Sequence, residues 1–466
     1  MAIDFQHPEY KENIERWKLA DNICSSRNVE QYLIELNPTD TSTENIARNK
    51  QYKERAVLYT IAGHTLQGLI GLLFSKPPII ELPSQLEYML ANVDGSGVSI
   101  NQQAQDSSSN VIKKGRSGLF VTYPKTEGAV SRADMDNGSL VATINKVEAE
   151  QVINWATETK GSKTFLSLVV IHESVEVVTD YEIEEIEQLR ELALIDGVFN
   201  VREWRKDDKK EWQIFSESIP TDSAGNTWSE IPFTFIGSQS NTSVLDDAPI
   251  YPLVKINVAH YRNSADYEDS VWYVGQAQPW MSGINKTHID LMKKNDMYVG
   301  SRSLLGVPTG ESFGFASADP NPLVRQAMLD KLEMLIGLGA RFVQENGRVK
   351  TASEDNNDEK AQHSTLGLVS VNISEAYTQA IQWAARYMGA GEDGTYTTTM
   401  DFISPTASAQ DIQAMFTGFI SGAYPISSYF RWLKKMDLED ENKTLEEFAE
   451  EVAQTRMPDL DSADNE

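Results

Sequence analysis

"LVKINVAHYRNSADYEDSVWYV", residues 253–274, decides how the chain divides. Val254, Val258, Tyr261, Ala265 and Trp272 recur along it near one helical face, with a polar break at Glu268 and Asp269. A helix from residue 251 through 274 spans about 36 Å. Before it the chain is mixed in character; after it come shorter elements and two more helical stretches. The fold class is therefore α+β, in several parts.

Toward the N-terminus, "NKQYKERAVLYTIAGHTLQGLIGLLF", residues 49–74, reads as one helix. It carries Ala56, Tyr59, Ile61, His64, Leu66, Leu69 and Leu73 at mixed three and four spacing, and Pro77 and Pro78 stop it. Its apolar end, "GLIGLLFSKPPII" at 68–80, is too short and interrupted for a membrane span of about 20 residues. It belongs in a protein core. The charged start, "MAIDFQHPEYKENIERWK", is no secretory leader. Residues 95–115 read as a polar, glycine-rich connection. Strand-type runs follow in "SGLFVTY", "LVATI", "TFLSLVVIHE", "VEVVTDYEI", "VFNVREW" and "EWQIFSES", separated by turns such as "RKDDKKE" and "TDSAGN".

Toward the C-terminus, "QAQPWMSGI" is extended, "KTHIDLMKKNDMY" a short helix and "SRSLLGVPTGESFGF" strand and turn. Asn321 and Pro322 suit the cap and first position of a helix striped by Val324, Met328, Leu332 and Leu335. Residues 344–363 are polar, with Val349 the one sizeable apolar side chain, and read as a long loop. A helix follows from about 364 to 388, with Leu366, Val369, Ile373, Tyr377, Ala380, Ala384 and Tyr387 at helical spacing. "GTYTTTMDFI" is β-type, and 407–455 is helical.

Composition narrows the function. The 466 residues include 69 Asp and Glu against 41 Lys and Arg, a net charge of −28. Such a surface repels phosphates, which argues against tight or sequence-reading DNA binding. One cysteine, Cys24, leaves neither an intramolecular disulfide nor a cysteine zinc site and fits assembly in a reducing cytoplasm. The six histidines, at 7, 64, 172, 260, 288 and 363, have no local ligand spacing, so no metal and no cofactor is expected.

The catalytic motifs fail on context. "GESFG", Gly310–Gly314, matches a nucleophile elbow, but the loop "FASADPNP" follows Ser312 where a helix is required. "GAGEDG", Gly389–Gly394, follows a helix and opens a strand, so it is a helix cap and turn, not a pyrophosphate cradle. "HESVE" at His172 lacks a second histidine, and no P-loop is present. No enzymatic activity is expected.

The order of parts resembles that of tailed-bacteriophage portal proteins, the head-to-tail connectors. The blocks "NKQYKERAVLY", "GLIGLLFSKPP", "KKGRSGLFVTYPK", "VINWATE", "AHYRNSADYEDSVWYVGQAQPWMSG" and "LGARFVQENGRVKTASE" are similar to those of one portal subfamily. The resemblance implies a multi-domain portal fold with an α/β wing, helical stem, small α/β clip and α-helical crown. Its parts would be a wing at 1–250, a first stem helix at 251–274, a clip at 275–320 and a second stem helix at 321–340. A tunnel loop at 341–363, a long wing helix and strand at 364–406, and a helical crown with acidic tail at 407–466 would follow.

The same resemblance implies a homo-oligomeric ring, typically a dodecamer, assembled in the host cytoplasm and set at one capsid vertex of the virion. Double-stranded DNA would be packaged and ejected through its channel without sequence specificity. The terminase large subunit, a capsid or scaffold protein, and head-completion, adaptor or tail proteins would be its partners. By this analogy Arg341, Arg348, Lys350 and Lys360 are the nucleic-acid-binding candidates, in or beside the tunnel loop. Their alternative role is charge balance with Glu345, Glu354, Asp355 and Glu359. Lys293, Lys294 and Arg302 would lie on the partner-docking clip, or else on a solvated face. The competing classes are another virion structural protein and a soluble serine hydrolase built on Ser312.

Overall fold

A computed structural model describes residues 2–124, 140–179, 181–275, 278–283, 312–316, 322–343, 352–398, 424–435 and 443–449, with positions 286, 287, 289, 290, 415 and 417. The chain falls into two compact units, Met1–Thr398 and Thr399–Glu466.

Three helices open the first unit. Helix α1, Pro8–Ser25, starts with proline at its first position, where the missing N–H costs nothing, and Trp17, Ala20 and Ile23 are buried on it. Helix α2, Thr43–Arg55, is capped by the Ser42 hydroxyl, which accepts from Asn45 N. Helix α3, Ile61–Leu73, buries Leu66, Leu69 and Leu73. Within the apolar 68–80 run Leu69 and Leu73 are core, as expected, whereas Ile79 is exposed. The single helix expected over 49–74 is instead two, broken at residues 56–60. Strand β1, Ile79–Glu81, follows.

A second correction falls at residues 95–115, which the sequence offered as a polar connection. Residues 100–114 form helix α4, Ile100–Lys114, opened by a capping box in which Ser99 and Gln102 exchange hydrogen bonds. It ends at Gly115, whose φ of +77° is left-handed and whose missing side chain lets Asp246 O approach. Buried Ile100, Ala104, Val111 and Ile112 are interleaved with buried small polar residues, which blurs the hydrophobic stripe: Ser108 Oγ donates to Ala104 O, and Ser107 Oγ pairs with Tyr377 Oη.

Two antiparallel sheets carry the body. Strands β2 (Arg116–Thr122), β3 (Thr143–Glu148) and, later in the chain, β9 (Phe233–Gly237) form one, in the order β3-β2-β9. Strands β4 (Val152–Lys160), β5 (Lys163–Thr179), β6 (Glu182–Ile195), β7 (Val198–Lys206) and β8 (Trp212–Ser218) form a five-stranded meander. β4 and β9 were not read as strands. At their junction the Arg116 guanidinium is buried between the rings of Trp155 and Phe235, with centroids at 4.5 and 4.1 Å. Burial lowers its pKa to about 10.

Helix α5, Tyr251–Gly275, leads to a hairpin of β10 (Gln278–Ser282) and β11 (Ser312–Ala316), then to helix α6, Pro322–Val343. Helix α7, Ala352–Met388, packs its Val369, Ile373, Tyr377, Ala380 and Ala384 face against β2, β9 and α4. It ends at Gly389, with φ of +66°. Strand β12, Thr395–Thr397, pairs back onto β1.

The loop expected over 344–363, and the tunnel loop at 341–363 that the resemblance implies, are corrected at their ends by these helices, while residues 344–351 lie outside the described residues. α6 continues through Val343 and α7 begins at Ala352, so Lys360 lies on helical backbone. The stretch from 352 to 366 has no proline or glycine to break a helix, and Glu354 and Asp355 suit the positive end of the helix dipole. Polarity alone does not mark a loop there.

In the second unit, helix α8, Ile426–Lys435, sets Phe430 against Phe448, with ring centroids 4.8 Å apart. Among the described residues no helix is long and apolar enough to cross a membrane.

Candidate functional site

The candidate site is the arm made by α5, the β10–β11 hairpin and α6. Its base is set by apolar burial: Leu253, Val254, Val258, Tyr261 and Ala265 of α5 are covered. Tyr261 and Ala265 form one cluster with Leu33 and Tyr52, flanked by Leu36, Ala56 and Leu58.

Side chains of α5 also dictate the break between α2 and α3. Asn257 Nδ2 donates to Tyr59 O (2.8 Å), and its Oδ1 accepts from Ala62 N (3.0 Å). Ser264 Oγ accepts from Val57 N (3.2 Å) and lies 2.7 Å from Val57 O. Both side chains are buried, so the extended backbone at 57–60 finds on α5 the partners that it would otherwise lack in the interior. Nothing local in "RAVLYT" announces this, because the partners are about 200 residues away in sequence.

The far half of α5 is held by charge. Arg48 Nη1 and Nη2 donate to the two carboxylate oxygens of Asp269 at 2.6 and 2.7 Å, and Arg55 Nη1 adds a bond of 3.1 Å. The hydrogen bonds from Arg48 lead in holding Asp269 below the ordinary carboxylate range. Arg55 also lies 4.0 Å from the Trp272 ring centroid, which leaves that residue partly exposed although its spacing placed it on the apolar face. Tyr52 Oη donates to Asp266 Oδ1 at 2.7 Å. The polar break at Glu268 and Asp269 is thus partly an ion-pair station. Sequence reasoning missed Arg48 and Arg55; their spacing of seven, which puts both on one face of α2, was the available signal.

Helix α6 packs on α5 and α3; of the stripe read from the sequence, Leu335 is buried and Val324, Met328 and Leu332 are half-buried, as is Lys331 beside them. The Asn263 amide, with its oxygen toward α6, accepts from Lys331 Nζ and donates to Ala259 O, both at 3.2 Å. Beside it, His260 is 1% exposed and neither ring nitrogen has a hydrogen-bond partner. Its ring stands edge-on to Tyr59 at 5.1 Å. Burial, with Lys331 nearby, lowers its pKa below the usual 6.5.

The rest of the α6 surface has three parts. Leu329 and Ile336, seven apart, form one exposed apolar flank; Leu323 and Met334, eleven apart, form another. Between them runs a polar ridge of Gln326, Asp330 and Glu333, in which Gln326 Nε2 donates to Asp330 Oδ1 at 2.6 Å. In the hairpin, the Trp280 indole lies over Gly314, where an added Cβ would sit 3.0 Å from its ring atoms. Ser312 opens β11 opposite Ser282, inside a hairpin register and not on a strand-to-helix turn.

Of the charged candidates, Lys293, Lys294, Arg302, Arg348 and Lys350 lie outside the described residues. Arg341 and Lys360 lie on the helical backbones of α6 and α7. Among the described residues no group of His, Cys, Asp and Glu has metal-site geometry.

The comparisons concern this same region and the chain as a whole. A family described as a domain of unknown function, DUF4055, matches residues 249–388, from the start of α5 to the end of α7. No curated protein sequence matches the chain. A solved structure described as the neck of an empty GTA particle computed with C6 symmetry is similar at 11% identity and a TM-score of 0.40, over 82% of this chain and 90% of its own. The neck of a native GTA particle computed with C12 symmetry is similar at 12% identity and a TM-score of 0.38, over 80% and 89%. Both are distant likenesses.

Proposed function

We propose that the chain is a portal protein, one subunit of a homo-oligomeric ring at a capsid vertex of a phage-like particle. The observation that carries this reading is the division of α6 into one face covered by α5 and α3 and two apolar flanks separated by a polar ridge. A helix open on two sides fits between two like neighbours, and a head-to-tail contact repeated by rotation closes a ring. The ridge of Gln326, Asp330 and Glu333 then faces the central channel. Its carboxylates disfavour adhesion of phosphates, which suits a conduit for double-stranded DNA better than a gripping surface does.

In this reading α5 and α6 are the stem and the β10–β11 hairpin belongs to the clip. That is the station for a terminase motor during packaging and for an adaptor or tail protein afterwards, with the wing meeting capsid or scaffold. Arg341, Arg348, Lys350 and Lys360 remain candidates for transient phosphate contact, and Lys293, Lys294 and Arg302 for docking. The chain supplies a channel and no chemistry, so its packaging ATPase is a separate protein. The test is the mass of the purified full chain by native mass spectrometry, together with top views in the electron microscope. A ring with a central channel is expected; a stable monomer or trimer overturns the reading.

A further inference from the structure

Strand β5 runs past both of its neighbours. Its first half pairs with β4, from Lys163 to Ile171, while β7 accompanies β6 only from Gln188 onward. Residues 174–179 and 182–187 therefore form a two-stranded ribbon with no third strand on either edge among the described residues. Such a ribbon is marginal in water by itself.

Its composition is that of a surface awaiting cover. Val178 and Ile183 are cross-strand partners and both exposed, and Tyr181 in the turn is fully exposed. Glu176 stands directly opposite Glu185, a like-charge pairing that weakens a ladder. Glu182 and Glu184 add to it; Glu185 accepts from the Ser174 hydroxyl, and Glu187 pairs with Lys206. From Ser174 to Glu187 the ribbon has no Lys or Arg.

The other end of β5 is the converse. In the β4–β5 turn Lys160 stands directly opposite Lys163. One carboxylate, Glu158, reaches Lys160 at 3.4 Å, while Lys163 has no carboxylate partner among the described residues. The Lys160 ammonium also lies 5.4 Å from the ring centroid of half-buried Phe165, an aromatic face beside the cations. The two ends are the length of a 17-residue strand apart, about 55 Å. They cannot neutralise each other within one copy.

We propose that copies of the chain associate head to tail through this sheet, the Glu176–Glu185 ribbon of one copy docking by its Tyr181 tip on the Lys160–Lys163 turn of the next. Opposed glutamates then meet opposed lysines, and Val178, Tyr181 and Ile183 leave water against Phe165. A contact between two different patches is heterologous, the kind that rings are made from. The inference rests on the ring reading above and adds a second inter-copy contact, remote from α6.

The test uses the full chain carrying Tyr181→Cys and Ser162→Cys, oxidised and run without reductant. Because the two positions are far apart within one copy, any disulfide between them joins two copies. A parallel chain carrying Leu329→Cys and Met334→Cys reports on the α6 flanks. A ladder of multimers from the 181–162 pair supports the proposal. A ladder from the flanks alone leaves the ring intact and overturns the proposal, and ladders from neither, with a monomeric mass, overturn both. Independently, Glu176→Lys with Glu185→Lys should lower the assembled fraction about tenfold at low salt. Adding Lys160→Glu and Lys163→Glu should restore it; folded protein without restoration counts against the contact.

Discussion

Arg48 and Asp269, 221 residues apart in sequence, meet through two parallel hydrogen bonds of 2.6 and 2.7 Å that brace the far half of α5 against α2. Arg48→Ala leaves Asp269 with Arg55 alone and should cost about 1–2 kcal/mol in urea unfolding of the full chain. Lysine at position 48 supplies charge without the fork and should recover only part of this. The pH dependence has a fixed sign. An unfolded aspartate titrates near 3.8 and Asp269 titrates lower, so below that value the unfolded chain binds the additional proton. The brace therefore contributes fully above pH 3.8 and is lost as pH falls through the folded value. Asp269→Asn should flatten this acid limb; a limb unchanged by the substitution would remove Asp269 from the account.

Asn257 holds both a carbonyl and an N–H of the 57–62 backbone within the interior. Truncation to alanine strands the two groups away from water, at about 2–4 kcal/mol of stability. Asn257→Asp keeps the acceptor; ionised, it loses the donor and buries a charge, whereas protonated its O–H can replace the amide donor, so it should fall between wild type and alanine only where the carboxyl is protonated. Denaturant unfolding of both variants at pH 4 and pH 7 checks this. Equal stability of alanine and wild type would mean that the break at 56–60 is held by its own sequence.

This residue also marks where sequence reading stops. The helix at 251–275 and the stripe on α6 were legible because apolar periodicity reports burial directly. The break in 49–74 was not, because Asn257 and Ser264 supply its hydrogen bonds from a distant element. Helix α4 was hidden for a related reason: its buried face mixes Ile100, Ala104, Val111 and Ile112 with Gln103, Ser107, Ser108 and Asn110, which read as surface. Conversely, the start of α7 reads as loop because its sequence carries no apolar stripe. Of the site, the Asp269 station was visible as a break in a pattern, but its arginine partners emerge only from tertiary packing.

His260 sets the response of the α5–α6 contact near neutrality. The groups facing it are Tyr59 from the 56–60 segment and Lys331 from α6, and neither accepts its proton. An unfolded histidine titrates near 6.5 and His260 lower, so stability is complete above pH 6.5 and declines as pH falls through the folded value. His260→Phe keeps the edge-on ring contact and removes the proton site. It should match or exceed wild type at pH 5.5 in thermal unfolding and lose the slope between pH 6.5 and 5. A slope retained in the variant would assign it to another group.

The flanks of α6 separate folding from assembly. Leu329, Ile336 and Met334 are exposed in the single chain, so a charge placed on them costs little within one copy: Leu329→Glu or Met334→Glu should shift the unfolding midpoint by no more than about 0.5 kcal/mol. Between copies the same charge would be buried without a partner, at several kcal/mol per contact, multiplied around the ring. Leu335, buried in the single chain, gives the opposite pattern, since Leu335→Asp should unfold the arm there. Asp330→Asn with Glu333→Gln alters only the ridge and should leave both folding and ring mass unchanged. The measurement is paired, with circular dichroism melts for folding and native mass for assembly. Rings at wild-type yield from Leu329→Glu and Met334→Glu together would show that α6 does not lie between like neighbours, whatever ring the chain forms by other means.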